Sequence, residues 1–166
     1  MRLTMTLTEA LTLARAARPL PSLVRSISAE GSVIQVEVDL RQIPDPPAPL
    51  RLAAAAAGTV SVTAEMVEFA AGVATFRVTA HARALPAHKL LGHIADPLES
   101  ALRRRGLPAG LVTVRRTPGD ALVDVAVQAA VDARSAGLTV TDLAVQDGMV
   151  DVAVAVGDVT LRRGRR

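Results

Sequence analysis

Three histidines, His81, His88 and His93, are the residues whose types suit metal or acid–base chemistry. Their spacing argues against it. His88 and His93 are five apart and point in different directions on a helix, whereas a zinc pair on one helix face needs a spacing of four. His93 and Asp96 are three apart and share a face, yet they read best as solvated surface residues. Ser100 and Ser135 lie in no nucleophile motif, and Gly-x-Ser-x-Gly is absent. Gly106, Gly110 and Gly119 lack the spacing and the following Lys of a phosphate loop. The carboxylate pairs Glu37 with Asp39 and Glu65 with Glu68 fit solvated sheet faces better than acid–base dyads. The sequence therefore predicts a non-enzymatic protein with no metal and no cofactor.

The arginines are the next candidates. Arg103, Arg104 and Arg105 close a helical stretch, and Arg115 and Arg116 lie on the strand after it. Together they form a candidate anion-binding patch if helix end and strand lie close. The alternative is ordinary helix-end charge and a polar strand edge. The pI of about 10.8 suggests nucleic acid at first sight. Four of the 19 basic residues, however, are Arg162, Arg163, Arg165 and Arg166 in the tail. The rest of the chain has 15 basic and 16 acidic residues. That predicts a flexible basic tail over 162–166 with weak contact to anionic surfaces by counterion release, and no specific nucleic-acid partner.

Composition narrows the field further. Half of the 166 residues are hydrophobic, but Phe69 and Phe76 are the only aromatics and there is no Cys. Base stacking and aromatic interface anchors are nearly closed off, and cysteine chemistry is absent. The core must be built from Val, Leu, Ile and Ala. The longest uncharged apolar run, 52–64, is too short for a bilayer-spanning helix of about 20 residues. The opening segment has no continuous apolar stretch of signal-peptide type, so the expected location is cytoplasmic.

The hydropathy pattern then places these residues on elements. A short strand at Leu3 to Leu7 precedes a helix from Glu9 to about Arg18, capped by Thr8. A hairpin follows, Leu23 to Ala29 and Ser32 to Leu40, whose second arm alternates Ile34, Val36, Val38 and Leu40 against Gln35, Glu37 and Asp39. The proline-rich stretch 43–49 is a connector. Residues 50–57 are ambiguous: five alanines favour helix, while the neighbouring proline and strand favour the extended reading preferred here. Strands are expected at Thr59 to Phe69 and Val73 to Arg83. Leu90, Leu91, Ile94, Leu98, Ala101 and Leu102 recur at helical spacing. Asp96 and Pro97 mark either two helices meeting or one kinked helix. Strands then run Leu111 to Arg116, Leu122 to Ala129, Thr139 to Val145 and Met149 to Val156, with a loop or short helix at 130–137. Asp147-Gly148 is a strong hairpin signal. The segments Ile27 to Leu40 and Leu143 to Val156 echo each other, as two ordinary hairpins or as an old duplication.

The fold class expected is α+β: a strongly twisted, mostly antiparallel sheet of long hairpins packed on a central helical segment. One domain over 1–161 carries the tail. The candidate ligand-binding residues are the helical stripe Leu90, Leu91, Ile94, Leu98 and Leu102, with Phe76 and Val78 on a strand. They form either a closed core or the walls of an aliphatic channel suited to acyl chains.

The order of parts, with the terminal hairpin running Gly-Leu-Thr-Val-Thr-Asp-Leu-Ala-Val-Gln-Asp-Gly-Met-Val-Asp-Val from Gly137 to Val152, resembles bacterial tubular lipid-binding (TULIP-type) domains over residues 22 to 160. The resemblance implies a curved sheet around a long helix and an apolar ligand. Many bacterial members are exported or membrane-tethered, and the family assigns no individual site residues here. The leading expectation is non-catalytic binding of an apolar or amphipathic, lipid-like ligand between sheet and helix. The alternative is an assembly protein, a homo-oligomer included, with a closed core that meets a partner through sheet edges or Arg clusters.

Overall fold

Strict alternation of aliphatic and polar residues produces the main sheet. The computed structural model describes residues 1–17, 22–43, 48, 51, 58–81, 99–100, 103–104, 107–116 and 121–161. Within them β2 (Val24–Glu30), β3 (Val33–Asp39), β4 (Thr59–Ala70), β5 (Val73–His81), β6 (Val112–Arg116) and β7 (Ala121–Ala126) pair in the order β2-β3-β4-β5-β7-β6. A second sheet has the order β1-β9-β8, from β1 (Arg2–Thr6), β8 (Ser135–Gln146) and β9 (Met149–Leu161). Every pairing is antiparallel. With α1 (Leu7–Ala17) and α2 (Val127–Asp132), this is an α+β fold. Among the described residues no helix is long and apolar enough to cross a membrane.

Several expected boundaries move: β8 begins at Ser135, inside the expected loop or helix at 130–137, β9 runs on past Val156 to Leu161, and three other differences concern helical residues. The cap of α1 is Thr6, not Thr8. The Thr6 hydroxyl accepts from the Glu9 amide at 3.1 Å, and Glu9 Oε2 accepts from the Thr6 amide at 2.8 Å. This capping box, Thr6-x-x-Glu9, lets β1 run straight into the helix. It also holds the Glu9 carboxyl below its ordinary range, mainly through the Thr6 backbone bond. Second, the strand expected to reach Ala129 stops at Ala126, and α2 begins at Val127. The apolar run through Val127 carries no period that separates the two. Third, Arg51 is helical where an extended segment was expected; the rest of 50–57 lies outside the described residues. The central helical stripe and the Asp96-Pro97 junction also lie outside them. Glu99, Ser100, Arg103 and Arg104, at the end of that stretch, are helical.

The turns explain how the two sheets meet. The β2–β3 and β4–β5 turns and the start of α2 all lie at one end of the six-stranded sheet, because each strand runs antiparallel to its neighbour. Strand β8 crosses that end. At the tip of the β8–β9 hairpin, the Gly148 amide donates to Ser32 Oγ at 3.2 Å, and the Gly148 carbonyl accepts from the Leu7 amide at 2.8 Å. The two hairpins that echo each other in sequence therefore touch tip to tip. Further along β8, Gln128 Nε2 donates to the Leu138 carbonyl at 2.9 Å, and Gln128 Oε1 accepts from the Val140 amide at 2.8 Å. The same residue's amide donates to the Gly72 carbonyl at 3.0 Å. One glutamine thus ties the β4–β5 turn to the edge of β8, doing there the work of a strand partner.

Candidate functional site

One face of the six-stranded sheet is aliphatic from end to end. The register places Val38 opposite Val60, Val36 opposite Val62, Val62 opposite Ala80 and Ala64 opposite Val78. It continues through Met66 opposite Phe76, Phe76 opposite Val123 and Val123 opposite Val114. Burial along this face varies. At the end away from β8 the core is closed: Leu40 and Val60 are 0% exposed, and Leu23, Val38 and Ile43 are buried. Toward β8, Ile34, Ala64, Met66, Phe76, Val114 and Val123 are half-buried, while Ala74 beside them is 0% exposed.

The last row of that face ends in a cleft. Phe69 lies opposite Ala74 and on the same face as Phe76. It also lines an open cleft of about 290 Å³ between residues 69–72, Gln128 and residues 139–141. Two backbone irregularities shape the cleft. Ala71 adopts φ 50°, a left-handed conformation that costs a residue with a Cβ about 1 kcal/mol or more. On β8 the register steps from Val140 to Asp142, so Thr141 is a bulge residue with no partner on β9.

The opposite face is polar, and Arg115 is committed there. Its Nη2 donates to Asp124 Oδ1 at 2.7 Å, with Nε on the second oxygen, and Thr75 Oγ1 donates to Oδ1 at 2.8 Å. The Arg115 hydrogen bond holds the Asp124 carboxyl below its ordinary range, partial burial opposes this, and Thr75 adds to the lowering. A depressed folded-state pKa means that the pair contributes stability above the unfolded value and loses it as pH falls through the folded one. Asp124→Asn should therefore cost stability at pH 7, and the gap from wild type should begin to narrow only as pH falls below about 4. Urea unfolding followed by far-ultraviolet dichroism at both pH values checks this. A gap that stays constant with pH would show that the carboxylate charge contributes nothing.

Of the residues singled out from sequence, Phe76 and Val78 lie together on the aliphatic face, with Val78 6% exposed. Leu90, Leu91, Ile94, Leu98 and Leu102 lie outside the described residues, as do His88, His93 and Arg105. Arg103 and Arg104 are exposed. Arg116 ends β6, and an anion at Arg115 would compete with a bidentate carboxylate already in place. Sequence reasoning missed Gln128, Thr139 and Thr141. A lone glutamine in the first turn of a short helix gives no signal, and strict alternation does not announce the bulge at Thr141. Comparison with known proteins finds no matching family model, no matching curated protein and no matching solved structure.

Proposed function

We propose that this protein is a non-catalytic binder of an apolar or amphipathic, lipid-like ligand, held against the aliphatic face of the six-stranded sheet. The observation that carries the reading is one continuous apolar face, closed at Leu40 and Val60 and partly exposed at Met66, Phe76 and Val123. Apolar surface that is continuous and incompletely covered gains from an apolar occupant.

The composition supplies a clean test. The chain has no Trp and no Tyr, so Phe76→Trp creates a single fluorophore on the face. Phospholipids or fatty acids brominated along the acyl chain should quench its emission, with a depth that depends on bromine position. A folded variant whose emission no brominated chain quenches would reject the reading.

Assembly is the second reading, and one observation favours it. Strand β1 covers β9 only as far as Ala153 in the register, with Val154 held by Met1. Beyond it Val156 and Val159 are 55% and 46% exposed. An apolar open edge is a site for pairing with another strand. Sedimentation velocity over a concentration series decides it: a monomer throughout removes self-association.

A further inference from the structure

We infer that a second copy of this chain pairs with the outer half of β9, antiparallel and about a two-fold axis at Thr160. This pairing specifies the assembly reading and does not depend on the lipid-binding one. Strand β1 covers β9 from Met149 to Ala153, and Met1 and Val154 exchange backbone hydrogen bonds. From Ala155 to Thr160 every residue is exposed, and β8 is the one strand neighbour found there among the described residues. A two-stranded ribbon is marginal in water, and a third strand stabilises it. Val156 and Val159 make this ribbon apolar as well as unpaired along one edge.

The strand end is complementary to itself, which points to a copy of this chain as the occupant. Asp158-Val159-Thr160-Leu161-Arg162 reads backwards as Arg, Leu, Thr, Val, Asp. Antiparallel pairing centred on Thr160 therefore sets Thr160 against Thr160 of the second copy. It sets Val159 against Leu161 and Asp158 against Arg162 of the second copy, each pair occurring twice. Thr–Thr, aliphatic and opposite-charge pairs are all favourable across strands. A centre at Asp158 would instead face that carboxylate with itself, which is unfavourable. Asp158 is exposed and forms no ion pair with a described residue. Residues 157–159 of β9 stand opposite Gly137 alone, a bulge that loosens the register at Asp158. An arginine is long enough to reach across the diagonal there. The two-fold axis makes the surface isologous, so the assembly closes at two copies.

The test uses the full chain. It has no cysteine, so Thr160→Cys places a single thiol at the axis, where opposite residues lie within disulfide range. Mild oxidation should link this variant into dimers, while Ser28→Cys, exposed on the main sheet, should stay unlinked. Sedimentation velocity tests the register. Asp158→Arg alone, or Arg162→Asp alone, should weaken the dimer roughly tenfold, because two opposite-charge pairs become like-charge pairs. Combining Asp158→Arg with Arg162→Asp should restore the wild-type affinity. A wild type that stays monomeric across the concentration series overturns this pairing and the assembly reading together, and leaves the lipid reading standing. A dimer whose Thr160→Cys variant does not link overturns the β9 pairing alone. Single charge changes without effect do the same, as does a double variant no tighter than the single ones. Should Asp158→Arg fail to fold, Arg162→Asp, which lies past the end of β9, and the thiol variant decide.

Discussion

Gly137→Ala should destabilise the protein by about 4 kcal/mol, enough to unfold a domain of ordinary stability at moderate temperature. Two costs combine. Gly137 has φ +82°, where a Cβ is strained by about 1–2 kcal/mol. A Cβ there would also lie 2.1 Å from the Asp158 carbonyl oxygen and 2.6 Å from its carbon. Those are backbone atoms of β9, so no rotamer relieves the clash; the strand itself must move. The site is a bulge, since Ala136 pairs with Thr160 while Leu138 pairs with Val156. Close backbone approach at a bulge is a common reason for glycine in a strand. Gly31→Ala is the control. Gly31 also has positive φ, at +56°, but a Cβ there meets nothing within 4 Å. It should cost about 1 kcal/mol, from backbone strain alone. Thermal unfolding followed by far-ultraviolet dichroism gives both values. Equal costs at the two sites would mean that β9 yields at Asp158 and that the contact does not constrain it.

Strand alternation was the most legible signal in this chain. Ile34, Val36 and Val38 against Gln35, Glu37 and Asp39 identify β3 and its buried face, and the Asp147-Gly148 dipeptide identifies the last hairpin. Both residues of that turn have positive φ, as the turn type requires. The register of β8 on β9 was hidden, because its two irregularities, near Gly137 and at Thr141, insert extra residues that alternation along the hairpin does not mark. The helix start at Thr6 was legible in principle: Thr6-x-x-Glu9 is a capping box, but a preceding strand that ends on the cap residue masks it. The crossing of β8 over the ends of the main sheet was not legible at all. It involves Gln128 bonding both Leu138 and Val140, and contacts made by one side chain leave no periodic trace. The candidate site divides in the same way. Phe76 and Val78 followed from alternation, whereas the cleft beside Phe69 depends on that crossing.

The apolar face of the main sheet sets the second large effect. Leu40→Ala should cost about 3 kcal/mol, within the range for a fully buried leucine, because Leu40 is 0% exposed and sits among Val38, Ile43 and Val60. Its position is also fixed by the backbone: the Leu40 amide donates to the Gly58 carbonyl at 3.0 Å, and the Asp39 carboxylate accepts from the Arg41 amide at 3.0 Å. The surroundings therefore have little freedom to collapse into the space left behind. Phe76→Ala removes a larger side chain, and in a closed core it would cost about 3–5 kcal/mol. Phe76 is half-buried, so less apolar area returns to water on unfolding, and a loss of about 1–2 kcal/mol is expected. The order of the two costs is the informative quantity, since absolute values vary with how each site relaxes. A smaller loss for the larger side chain means that the face is open at Phe76 and has room for a ligand. If Phe76→Ala costs as much as Leu40→Ala or more, the face is closed along its whole length. The aliphatic surface would then be core alone, and assembly would become the better account of this protein.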